Sequence, residues 1–144
     1  MELQNIKAIW YDTNVHSLEN KHVSNVIRSY CSLEVFSEMN DAISYLDDNP
    51  QKDFVVITSG NNGENLCEKI HSKNNVTDII VFCYNVNYHQ SWASKYSKIF
   101  GVYSNLSIAI NNFMDYLKSK FKNLEAQAQI EKFNPNMNID LDSD

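Results

Sequence analysis

The sequence predicts an α/β domain of the doubly wound kind, a five-stranded parallel sheet in the order 2-1-3-4-5 with helices on both faces. Three observations predict it. Five short runs rich in β-branched and aromatic residues recur along the 144 residues, and each is followed by apolar residues at helical spacing. Two of these runs are apolar throughout, as strands covered on both faces must be. No two runs are joined by a tight hairpin turn, so successive strands need right-handed crossovers and lie parallel.

The first run, Lys7 to Tyr11, ends in the polar turn Asp12-Thr13-Asn14. The helix after it carries Val15, Leu18, His22, Val23, Val26, Ile27 and Tyr30 as its inward stripe, with Ser17 as cap, since a serine hydroxyl accepts from a backbone N–H two or three residues on. The second run, Leu33 to Phe36, alternates apolar and charged residues as an outer strand does. Asn40-Asp41 opens the next helix, which faces inward through Ala42, Ile43, Tyr45 and Leu46 and stops before Pro50.

The third run, Asp53 to Thr58, leads into Ser59-Gly60-Asn61-Asn62-Gly63 and a helix bearing Leu66, Cys67 and Ile70. The fourth, Asp78 to Tyr84, passes through Asn85 to Asn87 into a short helix with Trp92, Ala93 and Tyr96. These two are the central strands. The fifth, Phe100 to Tyr103, runs through Ser104-Asn105 into the longest helix, Leu106 to Lys122, with Leu106, Ile110, Phe113, Met114 and Leu117 on one stripe. Residues 1–122 are thus read as the domain and 123–144 as a helix extension and a mobile acidic tail, a linker or docking segment.

Composition narrows the function classes. A hydrophobic fraction of 43% with 12% aromatics belongs to a packed globular chain. A net charge of -6 and a single arginine, Arg28, argue against nucleic acid as a partner, because phosphate binding needs concentrated Lys and Arg. The three cysteines, Cys31, Cys67 and Cys83, have no CxxC spacing, and the four histidines, His16, His22, His71 and His89, show no ligand spacing, so neither a disulfide framework nor a metal site is indicated. With no secretion signal and no bilayer-spanning run, the chain reads as cytoplasmic, without a membrane partner, and no cofactor is expected.

At this point the order of elements resembles the flavodoxin-like fold of response-regulator receiver domains, over roughly residues 6–120. The best local likeness is LEVFSEMNDAISYLDDNPQKDFVVITSG, Leu33 to Gly60. Receiver chemistry implies an acidic pair after strand one for Mg²⁺, a nucleophilic Asp ending strand three, a Thr or Ser after strand four and a Lys after strand five. Here Asp12 stands alone before Thr13-Asn14, read first as a turn or helix-lead residue and only second as a remnant metal ligand, and Thr58-Ser59 takes the nucleophile's place. Cys83-Tyr84 replaces the small hydroxyl residue, and Ser104-Asn105 replaces the lysine. Neither Thr58 nor Ser59 has an ionised oxygen to attack a phosphoryl donor, and no base adjoins them in sequence. The resemblance is therefore to a degenerate receiver that is not phosphorylated on Asp.

The segments IWYD, VVITSG and GVYSNL are also similar to modules that precede repeat or ADP-ribosyltransferase domains in some invertebrate proteins, which implies a companion to an effector domain or protein.

Two functional expectations follow. The leading one is a non-catalytic signalling or protein-interaction module, a pseudo-receiver whose partner face, placed by the resemblance, includes Tyr88, Trp92, Tyr96, Tyr103 and Ser104. For Trp92, core packing against strands four and five is favoured over that role. The other is a small-ligand or nucleotide-binding enzyme, a TIR-like NAD hydrolase or similar, using a crevice at the strands' carboxyl ends among Asp12, Thr58, Ser59, Gly60, Cys83, Asn85 and Ser104. Against it, Ser59 to Gly63 lacks phosphate-loop spacing and any Lys, and reads as an ordinary β–α turn. Cys83 has no cationic neighbour in sequence to make its thiol reactive, and reads as buried filler.

Overall fold

Strand and helix alternate five times in the computed structural model, which describes residues 6–133: β1 (Lys7–Tyr11), α1 (Leu18–Arg28), β2 (Ser32–Phe36), α2 (Met39–Asp48), β3 (Phe54–Ser59), α3 (Gly63–Ile70), β4 (Val76–Phe82), α4 (Val86–Ala93), β5 (Ile99–Tyr103) and α5 (Leu106–Phe133). All strand pairings are parallel and the order is β2-β1-β3-β4-β5, as the sequence predicts. The last helix continues past Lys122 to Phe133, and the acidic end expected at Asp140 to Asp144 lies outside the described residues.

Because side chains alternate across a strand, each strand feeds two cores. Ile9, Tyr11, Phe54, Val56, Ile79 and Val81 point to one face, where α2, α3 and α4 cover them with Leu46, Leu66, Cys67, Ile70 and Trp92. Ala8, Trp10, Val55, Ile57 and Ile80 point to the other, under Ile27 of α1 and Leu106, Ala109, Phe113 and Leu117 of α5. This two-sided burial is why β3 and β4 read as unbroken apolar runs.

Several expected frames shift. β4 starts at Val76 and ends at Phe82, so Cys83 and Tyr84 lie beyond it. The pairing Phe54↔Val76 is followed by a register irregularity before Val55↔Asp78, and the Thr77 hydroxyl donates to the Phe54 carbonyl. Backbone pairing thus adds Val76 and Thr77, which the polar Thr77 and Asp78 had separated from the apolar run. Asn75, just before this strand, is buried and donates through its amide to the carbonyls of Leu46 (2.9 Å) and Asn49 (3.1 Å), tying the end of α2 to the sheet.

The stripe assigned to α1 is corrected more deeply. Leu18, His22, Val26 and Tyr30 are exposed, Leu18 to 87%, while Ser24 and Ile27 are buried and Val23 is half-buried. Apolar residues on α1 span more than one face, and the row that meets the sheet is the polar-containing one through Ser24. The cap itself is as expected: the Ser17 hydroxyl accepts from the Asn20 N–H at 3.3 Å.

Candidate functional site

In a doubly wound sheet the loops at the strands' carboxyl ends diverge to either side, and the space between them is where ligands collect. Here that space is a cavity of about 610 Å³, walled by the β1–α1 loop, the first turn of α1, the β3–α3 loop and the β4–α4 loop. Of the candidate residues, it brings together Asp12, Ser59, Gly60, Cys83, Asn85 and Ser104.

Thr58 is not among the lining residues. It is fully buried, its hydroxyl donates to the Ser59 carbonyl at 3.2 Å, and its side chain lies beneath Gly63 at the start of α3. The expected crevice role of Thr58 is therefore corrected to a core position, because strand alternation turns residue 58 inward and leaves Ser59 at the rim.

The β1–α1 wall is held by its own hydrogen bonds. Asp12 is 9% exposed; its Oδ1 accepts the Asn14 N–H at 2.8 Å, and its carbonyl accepts the Val15 N–H at 2.9 Å. Asn20 closes the loop from α1 by donating its side-chain amide to the Asn14 carbonyl at 2.9 Å. These are the Asx-turn bonds that short acidic and amide side chains make with nearby backbone.

The opposite wall turns on Gly60 and His89. A Cβ at position 60 would stand 2.5 Å from His89 Nε2 and 2.6 Å from Cys83 Cβ, so only glycine lets the imidazole lie against the β3–α3 loop. Trp92 Nε1–H donates to His89 Nδ1 at 2.9 Å. An indole can only donate, so Nδ1 offers its lone pair and the neutral ring carries its proton on Nε2, the atom set against Gly60. The Asn85 side chain caps α4 by accepting the Tyr88 N–H at 3.1 Å.

Burial raises the Cys83 thiol above its ordinary pKa, and no hydrogen bond joins it to His89. Burial, aided by Glu64, pushes Cys67 up to about 12. Neither is an activated nucleophile. Among the described residues no group of three His, Cys, Asp or Glu side chains is placed to hold a metal ion. Among the described residues, the formally charged groups lining the cavity are Asp12 and Glu19, with no Lys or Arg.

The expected interaction face divides. Trp92 is buried in the core on the α2–α3–α4 side, as the core-packing reading expects, and so leaves the interaction face; its indole ring sits edge-on to His89 and Tyr96. Tyr96 is half-buried, and Tyr103 is half-buried and stacked near Phe100. Tyr88 is 61% exposed, and Tyr84, whose place in the sequence marks only an altered receiver position, is wholly exposed at the cavity's edge. His89 was readable only as a surface or helix-face residue; its spacing of three from Trp92 is the signal that links the two rings on one helix face.

No family model matches the chain, and neither a curated protein nor a solved structure matches it.

Proposed function

We propose that the chain is a non-catalytic, receiver-like recognition module that works by presenting a surface at the carboxyl end of its sheet. The observation that carries this reading is the pair Tyr84 and Tyr88, wholly and 61% exposed, at the β4–α4 junction. Large rigid aromatics on a surface supply contact area at little entropic cost and are enriched where binding energy concentrates. The burial-raised thiol of Cys83 and the absence, among the described residues, of a base beside Ser59 support binding rather than turnover.

Incubation with acetyl phosphate and Mg²⁺ should leave the intact mass unchanged; a phosphate adduct on an aspartate would overturn the reading. A photo-crosslinker installed at Tyr84 should capture a discrete partner, and Tyr88→Ser should weaken that capture without lowering the melting temperature. Capture unaffected by that change would move the recognition surface elsewhere.

The cavity favours a second reading, in which the crevice holds a small ligand, as the enzyme alternative also requires. Its volume lies within the range of small-molecule sites. If it is an NAD hydrolase, NAD should raise the melting temperature and be consumed; neither is the expected result, because nothing in the lining offers a cation to a pyrophosphate.

A further inference from the structure

The charge of the crevice is one-sided, and that selects among ligands. Two carboxylates, Asp12 and Glu19, face a cavity to which no Lys or Arg contributes. Asp12 is nine-tenths buried; its Oδ1 takes the Asn14 N–H, and its second oxygen has no hydrogen-bond or ion-pair partner among the described residues. That oxygen is not among the buried unpaired atoms, so it is open to the cavity, where an arriving ammonium could bond it. A phosphate or carboxylate ligand would meet like charge there.

The other wall asks for something different. His89 lines the same space, and with Nδ1 taken by the Trp92 indole, Nε2–H beside Gly60 is the donor its neutral ring has left to offer. The fully exposed Tyr84 ring stands at the edge, where an aromatic face can attract a cation. A ligand satisfying both walls is positively charged at one end and carries hydrogen-bond acceptors at the other.

From this geometry, and resting on the reading of the crevice as a ligand site, we infer that the cavity binds a small organic ammonium that also bears hydroxyl or carbonyl oxygens. The ammonium pairs with Asp12 and Glu19, and an oxygen accepts from His89 Nε2–H. Among the described residues no three metal-ligating side chains converge there, so a dehydrated transition-metal site is not offered, and Mg²⁺ alone serves as a control that should not reproduce the glucosamine response.

Three probes sharing one sugar ring isolate the charge: glucosamine as the cation below neutral pH, glucose as the neutral form and glucuronate as the anion. The full chain should gain melting temperature with glucosamine, less with glucose and none with glucuronate. In titration calorimetry, Asp12→Asn should weaken glucosamine at least tenfold and leave glucose within about twofold, since a tenfold change is about 1.4 kcal/mol, the scale of one charge-assisted hydrogen bond. Glu19→Gln, on the exposed first turn of α1, should weaken it less without affecting folding, and the remote Asp115→Asn should change nothing. Binding of glucose or glucuronate as tight as glucosamine would overturn the inference while leaving the crevice a ligand site. Equal losses in Asp12→Asn and Asp115→Asn would reduce it to diffuse attraction by an acidic protein. Silence from all three probes would remove the crevice reading with it.

Discussion

The two sides of the sheet are built to different standards. On the α2–α3–α4 side the residues that meet the sheet, Leu46, Leu66, Cys67 and Ile70, are fully buried, and Trp92 gives its indole N–H to His89. On the α1–α5 side Trp10 is equally buried but its indole N–H has no acceptor among the described residues. A groove of about 270 Å³ remains between α1 and α5, lined by Val23, Val26, Tyr30 and Ile110 among others. Leu18, Val26, Tyr30, Ile108 and Tyr116, all on α1, just after it or on α5, leave large apolar surface in water. Stability in such a fold is unevenly distributed, and the difference teaches that its firm half is the one that carries His89 and the cavity's far wall.

Matched leucines give the sharpest break of that comparison. Leu66→Ala should cost toward the top of the usual range of about 2–5 kcal/mol and Leu117→Ala toward its bottom, measured by urea unfolding, because a looser layer relaxes into the space left. Equal costs would mean the two sides are equally packed. Next in size, Gly60→Ala should cost about 1–3 kcal/mol from the clash with His89 and Cys83, and adding His89→Ala should recover part of it.

The two tryptophans extend the test. Trp92→Phe leaves His89 Nδ1 without its donor, whereas Trp10→Phe removes an N–H that had no acceptor; Trp92→Phe should therefore be the costlier by about 1 kcal/mol in the same assay.

The smallest effect concerns Asp78, half-buried on β4 with Lys120 of α5 and Lys98 nearby. Burial raises its pKa, and the Thr77 hydrogen bond and the two lysines only partly oppose this. Between the unfolded and the raised folded value the native state holds the extra proton, so Asp78 makes stability increase as pH falls through that window and lowers it once ionised. Asp78→Asn should raise the melting temperature near neutral pH and remove that part of the acid dependence. A lower melting temperature at neutral pH would show that the lysine contacts outweigh burial.

Strand order and strand count were legible because parallel strands buried on both faces leave long apolar runs, as at Val55 to Ile57 and Ile79 to Val81. What escaped had physical reasons. The inner face of α1 passes through Ser24, which packs inward while donating its hydroxyl to the Lys21 carbonyl, so hydropathy points to the wrong row. Thr58 and Ser59 are adjacent and alike, and only strand parity decides which one reaches the rim. Asp12, Gly60, Cys83, Asn85 and Ser104 could be nominated from their positions after strands. His89 could not, since its place depends on a glycine 29 positions earlier in the chain lacking a side chain.

The β1–α1 loop has one more consequence. Its groups already bond one another, Asn14 to Asp12, Ser17 to Asn14 and Asn20 to both Ser17 and Asn14. A molecule entering the crevice meets a wall that need not be ordered first, so little of its binding free energy is lost to immobilising the loop. Association there should be limited by how fast the two collide and dissociation by what the ligand itself touches, which makes residence time the quantity that reports on Asp12.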